Sequence, residues 1–506
     1  MKKMMLLCKL SYGMIAVVLM VVSWTYERCD AFGFNIHHRF SDPVKAMLNV
    51  DDEFPEKGTS DYYSAMLHRD RVFNRRRLAG DGANDTTLAF ASGNTTVHIS
   101  TLGFLYYANV SVGTPESWYL VALDTGSHLF WLPCDCVPNC VTQLQLTSNE
   151  VMDLNIYSLR NSSTGNQVSC TSPYCENRIS CAPSQVNCPY GVAYLSANTS
   201  SSGYLVEDLL HLTTNSNSSS LNVRIPFGCG VRQTGSFLET GAPNGLLGLT
   251  MDPISLPSVL ASQNLTSNSY SMCFTGDGYG TIIFGDRDNN RQGETPLNPD
   301  QLDLYNVSIT HITMGTNVTA TNFTVIIDSG TSFTHLTEPA YSLFSEKFNS
   351  QVTDRRLQVD PQSPFEYCYL PLPNVSMEDL IIPTINLTMG GGDIFSVIDP
   401  TLILSLEDGR YVYCLGVFSS DFDEQDINII GENFMTGYRI VFDHERMVLG
   451  WKAHDCGDVV PVSPRNSPPR LGVLPPRSST SSALEHSNWF ICILMIQILS
   501  VQLIIL

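Results

Sequence analysis

The chain has 506 residues, with 28 Lys and Arg against 49 Asp and Glu, for a formal net charge of −21. A balance this acidic disfavours nucleic acid as a partner. The charge is uneven: residues 1–80 hold 12 basic and 9 acidic side chains, which leaves 16 and 40 for residues 81–506, so a basic front precedes an acidic body. Such a body suits work at low pH, where protonation of carboxylates relieves self-repulsion, and it equally suits a solvated extracellular protein.

In chain order, Met1-Lys2-Lys3 and the apolar stretch through Leu19, Met20, Val21 and Val22 predict a secretory signal over residues 1–31, with cleavage near Ala31. The competing reading is an uncleaved membrane anchor. Residues 32–95 read as a basic pro-segment, with a helix-like stretch from Tyr62 to Arg69 and the run Arg75-Arg76-Arg77. A basic segment ahead of an acidic body can lie across it through charge pairs that acid would release. The plain alternative is a disordered basic linker. Twelve of the 15 cysteines fall between Cys134 and Cys456, an even number that implies up to six disulfides in a secreted body. Zinc is the other reading of Cys134, Cys136 and Cys140, but no histidines cluster with them. Twelve Asn-X-Ser/Thr sequons, at Asn84, Asn94, Asn109, Asn161, Asn198, Asn217, Asn264, Asn306, Asn317, Asn322, Asn374 and Asn386, also point to a secreted glycoprotein.

The body opens at Tyr106-Tyr107-Ala108-Asn109-Val110, which alternates as a strand, and reaches Leu123-Asp124-Thr125-Gly126-Ser127 after the apolar run Tyr119–Leu123. Leu246-Leu247-Gly248 follows about 120 residues later. The same order recurs further on, as Val325-Ile326-Ile327 before Asp328-Ser329-Gly330-Thr331, then Ile429-Ile430-Gly431. An aspartate at the end of a buried strand, followed by a glycine that frees a backbone N–H to face it, is ordinary once. Two copies in the same order indicate a duplicated unit that contributes one carboxylate per half.

This pattern resembles the pepsin-like aspartic proteases over roughly Tyr106 to Cys456. The resemblance implies a mainly β, bilobal fold with the active-site cleft between pseudo-symmetric lobes, residues 96–250 and 251–456. It makes Asp124 and Asp328 the catalytic pair, Ser127 and Thr331 the residues orienting their outer oxygens, and Thr125 and Ser329 a cross-brace, with Gly126 and Gly330 shaping the turns. Tyr194 falls at the flap-tyrosine position, with Trp131 as its hydrogen-bond partner. The cysteine-dense insert from Cys134 to Cys188 is similar to that of nepenthesin-like plant enzymes. The usual flap tip is replaced by Leu195-Ser196-Ala197-Asn198, which carries a sequon. A glycan on Asn198 is expected to narrow the substrate range, and His128 is read as a lobe-surface residue rather than a catalytic one.

Past Cys456 the composition turns to Pro, Ser and Arg, a flexible stalk over residues 457–482. Small residues and a polar spacer then precede Trp489–Leu506, which is uncharged to the last residue. This resembles a glycosylphosphatidylinositol signal, with Ser478, Ser479, Ser481 and Ser482 as attachment candidates and residues 483–506 removed. A single spanning helix competes, but no basic flank follows it.

The expectation is therefore a monomeric acid endopeptidase on the outer face of the plasma membrane. It takes peptide or protein substrates and uses neither cofactor nor metal. No Gly-X-Ser-X-Gly elbow or papain-type cysteine motif occurs. The rival is a pepsin-like fold kept as a binding or inhibitor module.

Overall fold

The computed structural model describes residues 32–48, most of 57–70 and, with short interruptions, 105–456. The signal, Arg75–Arg77, the flap tip Leu195–Asn198, the stalk, the four candidate anchor serines and the apolar tail lie outside the described residues.

The described chain is built mainly from β-strands. β2 (Tyr106–Val112) and β3 (Ser117–Asp124) form an antiparallel pair, with Tyr107 opposite Ala122. β3 then runs parallel to the strand Leu246–Gly248, so that Asp124 faces Gly248. The second half repeats this arrangement. Asn306–Met314 pairs antiparallel with Asn317–Ile327, whose end runs parallel to Asn428–Ile430, Ile327 opposite Ile430. In each half the strand that delivers the aspartate is thus flanked by the apolar-apolar-Gly strand.

Glycine is required at the end of both flanking strands because another chain segment crosses there. A Cβ on Gly248 would lie 2.5 Å from the Leu129 nitrogen, and one on Gly431 would lie 2.3 Å from the Phe333 carbonyl oxygen. The segments that cross are those following Ser127 and Thr331. Backbone bonds secure them, from Thr250 N–H to the Ser127 carbonyl (3.1 Å) and from Glu432 N–H to the Thr331 carbonyl (2.8 Å).

The basic front contributes a strand of its own. β1 (Phe32–His38) sits inside a 14-stranded sheet, antiparallel to Tyr279–Phe284 on one side and to β2 on the other. Phe32, Phe34 and Ile36 alternate into the core, as a period-two pattern dictates. Helical turns at residues 62–64 and 66–67 bury Tyr62, Tyr63, Met66 and Leu67. Tyr62 packs on Phe40, and Tyr63 on Phe333. Where it is described, this segment is held by a strand ladder, by apolar burial and by hydrogen bonds to the Asp70 carboxylate. The ladder forms because Phe32–His38 is itself an amphipathic strand that the body can pair with.

All twelve body cysteines are paired: Cys134–Cys229, Cys136–Cys140, Cys170–Cys181, Cys175–Cys188, Cys273–Cys456 and Cys368–Cys414. Asn109, Asn161, Asn264, Asn317 and Asn322 are exposed. Asn306 is buried in its strand and hydrogen-bonded to Asn298, so that sequon is closed to a glycan in the folded chain.

Candidate active site

Asp124 is the last residue of β3 and Asp328 follows the buried end of Asn317–Ile327, and each turns back onto its own glycine. Gly126 N–H donates to Asp124 Oδ1 at 2.8 Å, and Gly330 N–H donates to Asp328 Oδ1 at 2.8 Å. Thr125 Oγ1 and Ser329 Oγ lie 3.4 Å apart, and Ser329 N–H donates to Thr125 Oγ1 at 3.3 Å. These contacts tie together two loops 204 residues apart in the chain.

The two matching hydroxyls differ. Thr331 Oγ1 donates to Asp328 Oδ2 at 2.6 Å. Ser127, the matching residue of the first loop, is buried against the Tyr194 hydroxyl, and its Oγ has no partner of full hydrogen-bond geometry among the described residues.

The flap is a hairpin. Pro189–Ala193 pairs antiparallel with the strand Ser200–Thr214, and Tyr194 N–H donates to the Thr199 carbonyl at 2.9 Å. Trp131 heads β4 (Trp131–Pro133), is fully buried, and donates its indole N–H to the Tyr194 hydroxyl at 2.7 Å. Burial, followed by the nearby Asp124 charge, pushes the Tyr194 hydroxyl well above the ordinary tyrosine range, so it stays a neutral hydrogen-bonding group. Phe237 packs edge-on against both Trp131 and Tyr194, each with centroids 4.9 Å apart. It comes from the short turn Gly235–Phe237, and sequence reasoning missed it. Its only signal was a lone aromatic shortly before Gly245.

Different groups stand behind the two loops. Behind the first, Leu249 N–H donates to the Asp124 carbonyl at 3.0 Å, and the Leu249 carbonyl accepts from the buried Tyr305 hydroxyl. Tyr305 also meets the Tyr270 hydroxyl (3.1 Å) and His444 Nε2 (2.9 Å). Burial lowers the His444 pKa to about 4.

Behind the second loop lies Glu432, which accepts from the Tyr106 hydroxyl (3.1 Å) and Thr436 Oγ1 (2.8 Å). Burial raises its pKa above the ordinary carboxylate value, against the pull of those two donors and Lys57. Beyond it, Asp70 of the N-terminal segment accepts from the Ser332 and Phe333 amides. Sequence reasoning had not singled out either acid.

Two carboxylates on braced loops beneath a tyrosine-bearing hairpin can activate a water and polarise a carbonyl. The three-cysteine group Cys170, Cys175 and Cys181 has metal-like proximity, but its sulfurs are engaged in disulfides.

The chain is similar to known proteins. A xylanase inhibitor N-terminal family model matches residues 106–286, and its C-terminal counterpart matches residues 302–453. Aspartyl protease family protein 1 of Arabidopsis thaliana is 49% identical over 446 residues, covering 87% of this chain and 85% of that protein. Aspartic proteinase-like protein 1 of the same plant is 36% identical, covering 86% and 84%. Among solved structures, basic 7S globulin from soybean aligns with a TM-score of 0.55 at 23% identity, covering 71% of this chain and 96% of that one, which speaks for the fold. By its motifs, its repeated half-sites and these matches, the chain belongs to the pepsin-like aspartic protease family.

Proposed function

We propose that this protein is an aspartic endopeptidase that hydrolyses peptide bonds through a water activated by Asp124 and Asp328. The observation that carries the reading is the joining of two aspartate loops by Thr125 and Ser329, each carboxylate held by the amide of its own glycine. Two like charges about 3 Å apart cannot both ionise, and aspartic proteases are the type case of a pair sharing one proton. The ionised carboxylate removes a proton from water as the oxygen attacks the peptide carbon. The protonated partner donates a hydrogen bond to the carbonyl oxygen, and a proton then passes to the departing nitrogen. No covalent acyl intermediate forms. The hairpin bearing Tyr194, held by the Trp131 indole, covers the substrate.

The same proposal includes synthesis as a zymogen, an acidic working pH, passage through the secretory pathway and attachment to the outer cell surface by a lipid at one of Ser478, Ser479, Ser481 or Ser482. The signal-like start, the basic front and the small-residue-then-apolar end support these parts.

A second reading has its own support. The matching family models are described as xylanase inhibitors and the aligned structure is a basic 7S globulin, so the fold also serves proteins named for other roles. In that reading the cleft binds without cutting. Hydrolysis of a denatured protein from pH 3 to 7, with and without pepstatin and beside Asp124→Asn, decides between them. Pepstatin-sensitive acid cleavage that disappears in the variant supports the endopeptidase. Absence of cleavage by folded material freed of its N-terminal segment supports the binding module.

A further inference from the structure

Asp70 is fully buried and belongs to the segment that precedes the lobes. Its carboxylate accepts the Ser332 N–H at 3.0 Å on each oxygen, the Ser332 hydroxyl at 2.8 Å and the Phe333 N–H at 3.1 Å. His335 Nε2 lies 3.5 Å from Oδ2. Two consecutive backbone amides aimed at one anion form a concave donor site of the kind that binds carboxylates. Glu432 adds a repulsive charge nearby, and Lys57 of the same segment opposes it. Tyr63 of the segment covers Phe333.

The contacted residues are the direct continuation of the second catalytic loop. Ser332 follows Thr331, whose hydroxyl holds Asp328 Oδ2 and whose carbonyl accepts Glu432 N–H. The Asp70 carboxylate is therefore one residue removed from the group that aims Asp328. Without an acceptor there, the Ser332 and Phe333 amides would be buried donors left unpaired, which costs more than an ordinary hydrogen bond is worth.

We propose that Asp70 is a positioning residue of the second half-site. The N-terminal segment and the loop 328–333 order together, and the Asp70 carboxylate is the tie between them. Detachment of the segment thus frees the loop as well as the surface the segment covers. Calling this loop a half-site rests on the endopeptidase reading; the tie itself does not.

The test is amide hydrogen exchange on the full chain carrying Asp124→Asn, so that no self-cleavage intervenes, with and without Asp70→Asn. The Asn side chain keeps the shape but replaces one acceptor oxygen with a donor. The expected result is exchange at least tenfold faster at Ser332 and Phe333, with Asn306–Met314 and Asn428–Ile430 unchanged. Asp70→Glu should keep part of the protection, which a volume effect alone would not give. Unchanged protection at Ser332 and Phe333 in a folded Asp70→Asn chain would overturn the proposal, and so would a rise spread evenly over the body. Should Asp70→Ala fail to fold, Asp70→Asn still decides. Because exchange needs no turnover, folded wild-type material that is freed of its N-terminal segment and cleaves nothing would sink the endopeptidase reading and leave this result standing.

Discussion

The loop carrying Asp124 and the loop carrying Asp328 present nearly the same face and have quite different backs. In front, each carboxylate takes its own glycine amide, and Thr125 and Ser329 join the two loops. Behind, the first loop leans on a wholly internal network of Tyr305, Tyr270 and His444 through the Leu249 carbonyl. The second leans on Glu432 and, through Ser332 and Phe333, on a segment outside the repeated lobes. Duplication accounts for the fronts, and the proposed endopeptidase chemistry would need two matched carboxylates. The backs were free to diverge, because any set of groups that satisfies the buried donors serves equally well.

The largest expected effects test whether the fronts are equivalent. Asp124→Asn and Asp328→Asn should each cut turnover by about 10³-fold or more, read as kcat on a peptide substrate, with the thermal midpoint little changed. A large residual rate in either variant would break the matched pair.

The backs can be separated by pH. His444 has a folded pKa of about 4 against 6.5 when free, so its share of stability is present above pH 6.5 and is lost as pH falls toward 4. That amounts to roughly 2–3 kcal/mol by pH 4.5. Glu432 has the opposite sign: its raised pKa penalises the folded state at neutral pH, and acidification relieves that penalty. His444→Gln should flatten the loss in denaturant midpoint between pH 6.5 and 4.5. Glu432→Gln should be tolerated better at pH 7 than at pH 4. Identical pH profiles for both variants would remove the distinction.

The hydroxyls of the two loops should also differ. Thr331→Ala removes the 2.6 Å bond to Asp328 and should lower kcat about tenfold, whereas Ser127→Ala should cost less than about threefold. Equal losses would show that Ser127 serves Asp124 in the working state. The smallest effect is expected from Tyr106→Phe, which deletes one bond to Glu432 and should lower stability by about 1 kcal/mol.

Much of the front was legible from sequence. Asp-Thr-Gly and Asp-Ser-Gly stand at the ends of apolar runs, and the distant Gly248 and Gly431 read as parts of the same repeat because strands and tight crossings impose local rules. β1 was legible in principle, since Phe32, Phe34 and Ile36 alternate, yet the basic residues that follow them make charge the more visible feature of the segment. Phe237 and Asp70 were not legible. A single aromatic in a turn and a single acid in a basic stretch carry no periodicity, and only the folded chain shows what they touch. Disulfide partners were hidden for the same reason: Cys134 lies beside Cys136 in the chain but bonds Cys229 on a neighbouring strand.

The Cys273–Cys456 disulfide has a mechanical consequence. Cys456 follows the last strand of the body, and Cys273 lies in Ser269–Phe274, which pairs with both Tyr279–Phe284 and Tyr438–Asp443. A pull applied beyond Cys456 therefore does not first peel away the terminal hairpin of Tyr438–Asp443 and Val448–Ala453. It enters at Cys273 and is shared with the two strands paired to Ser269–Phe274, so the end of the chain can bear load while the hairpin stays in place.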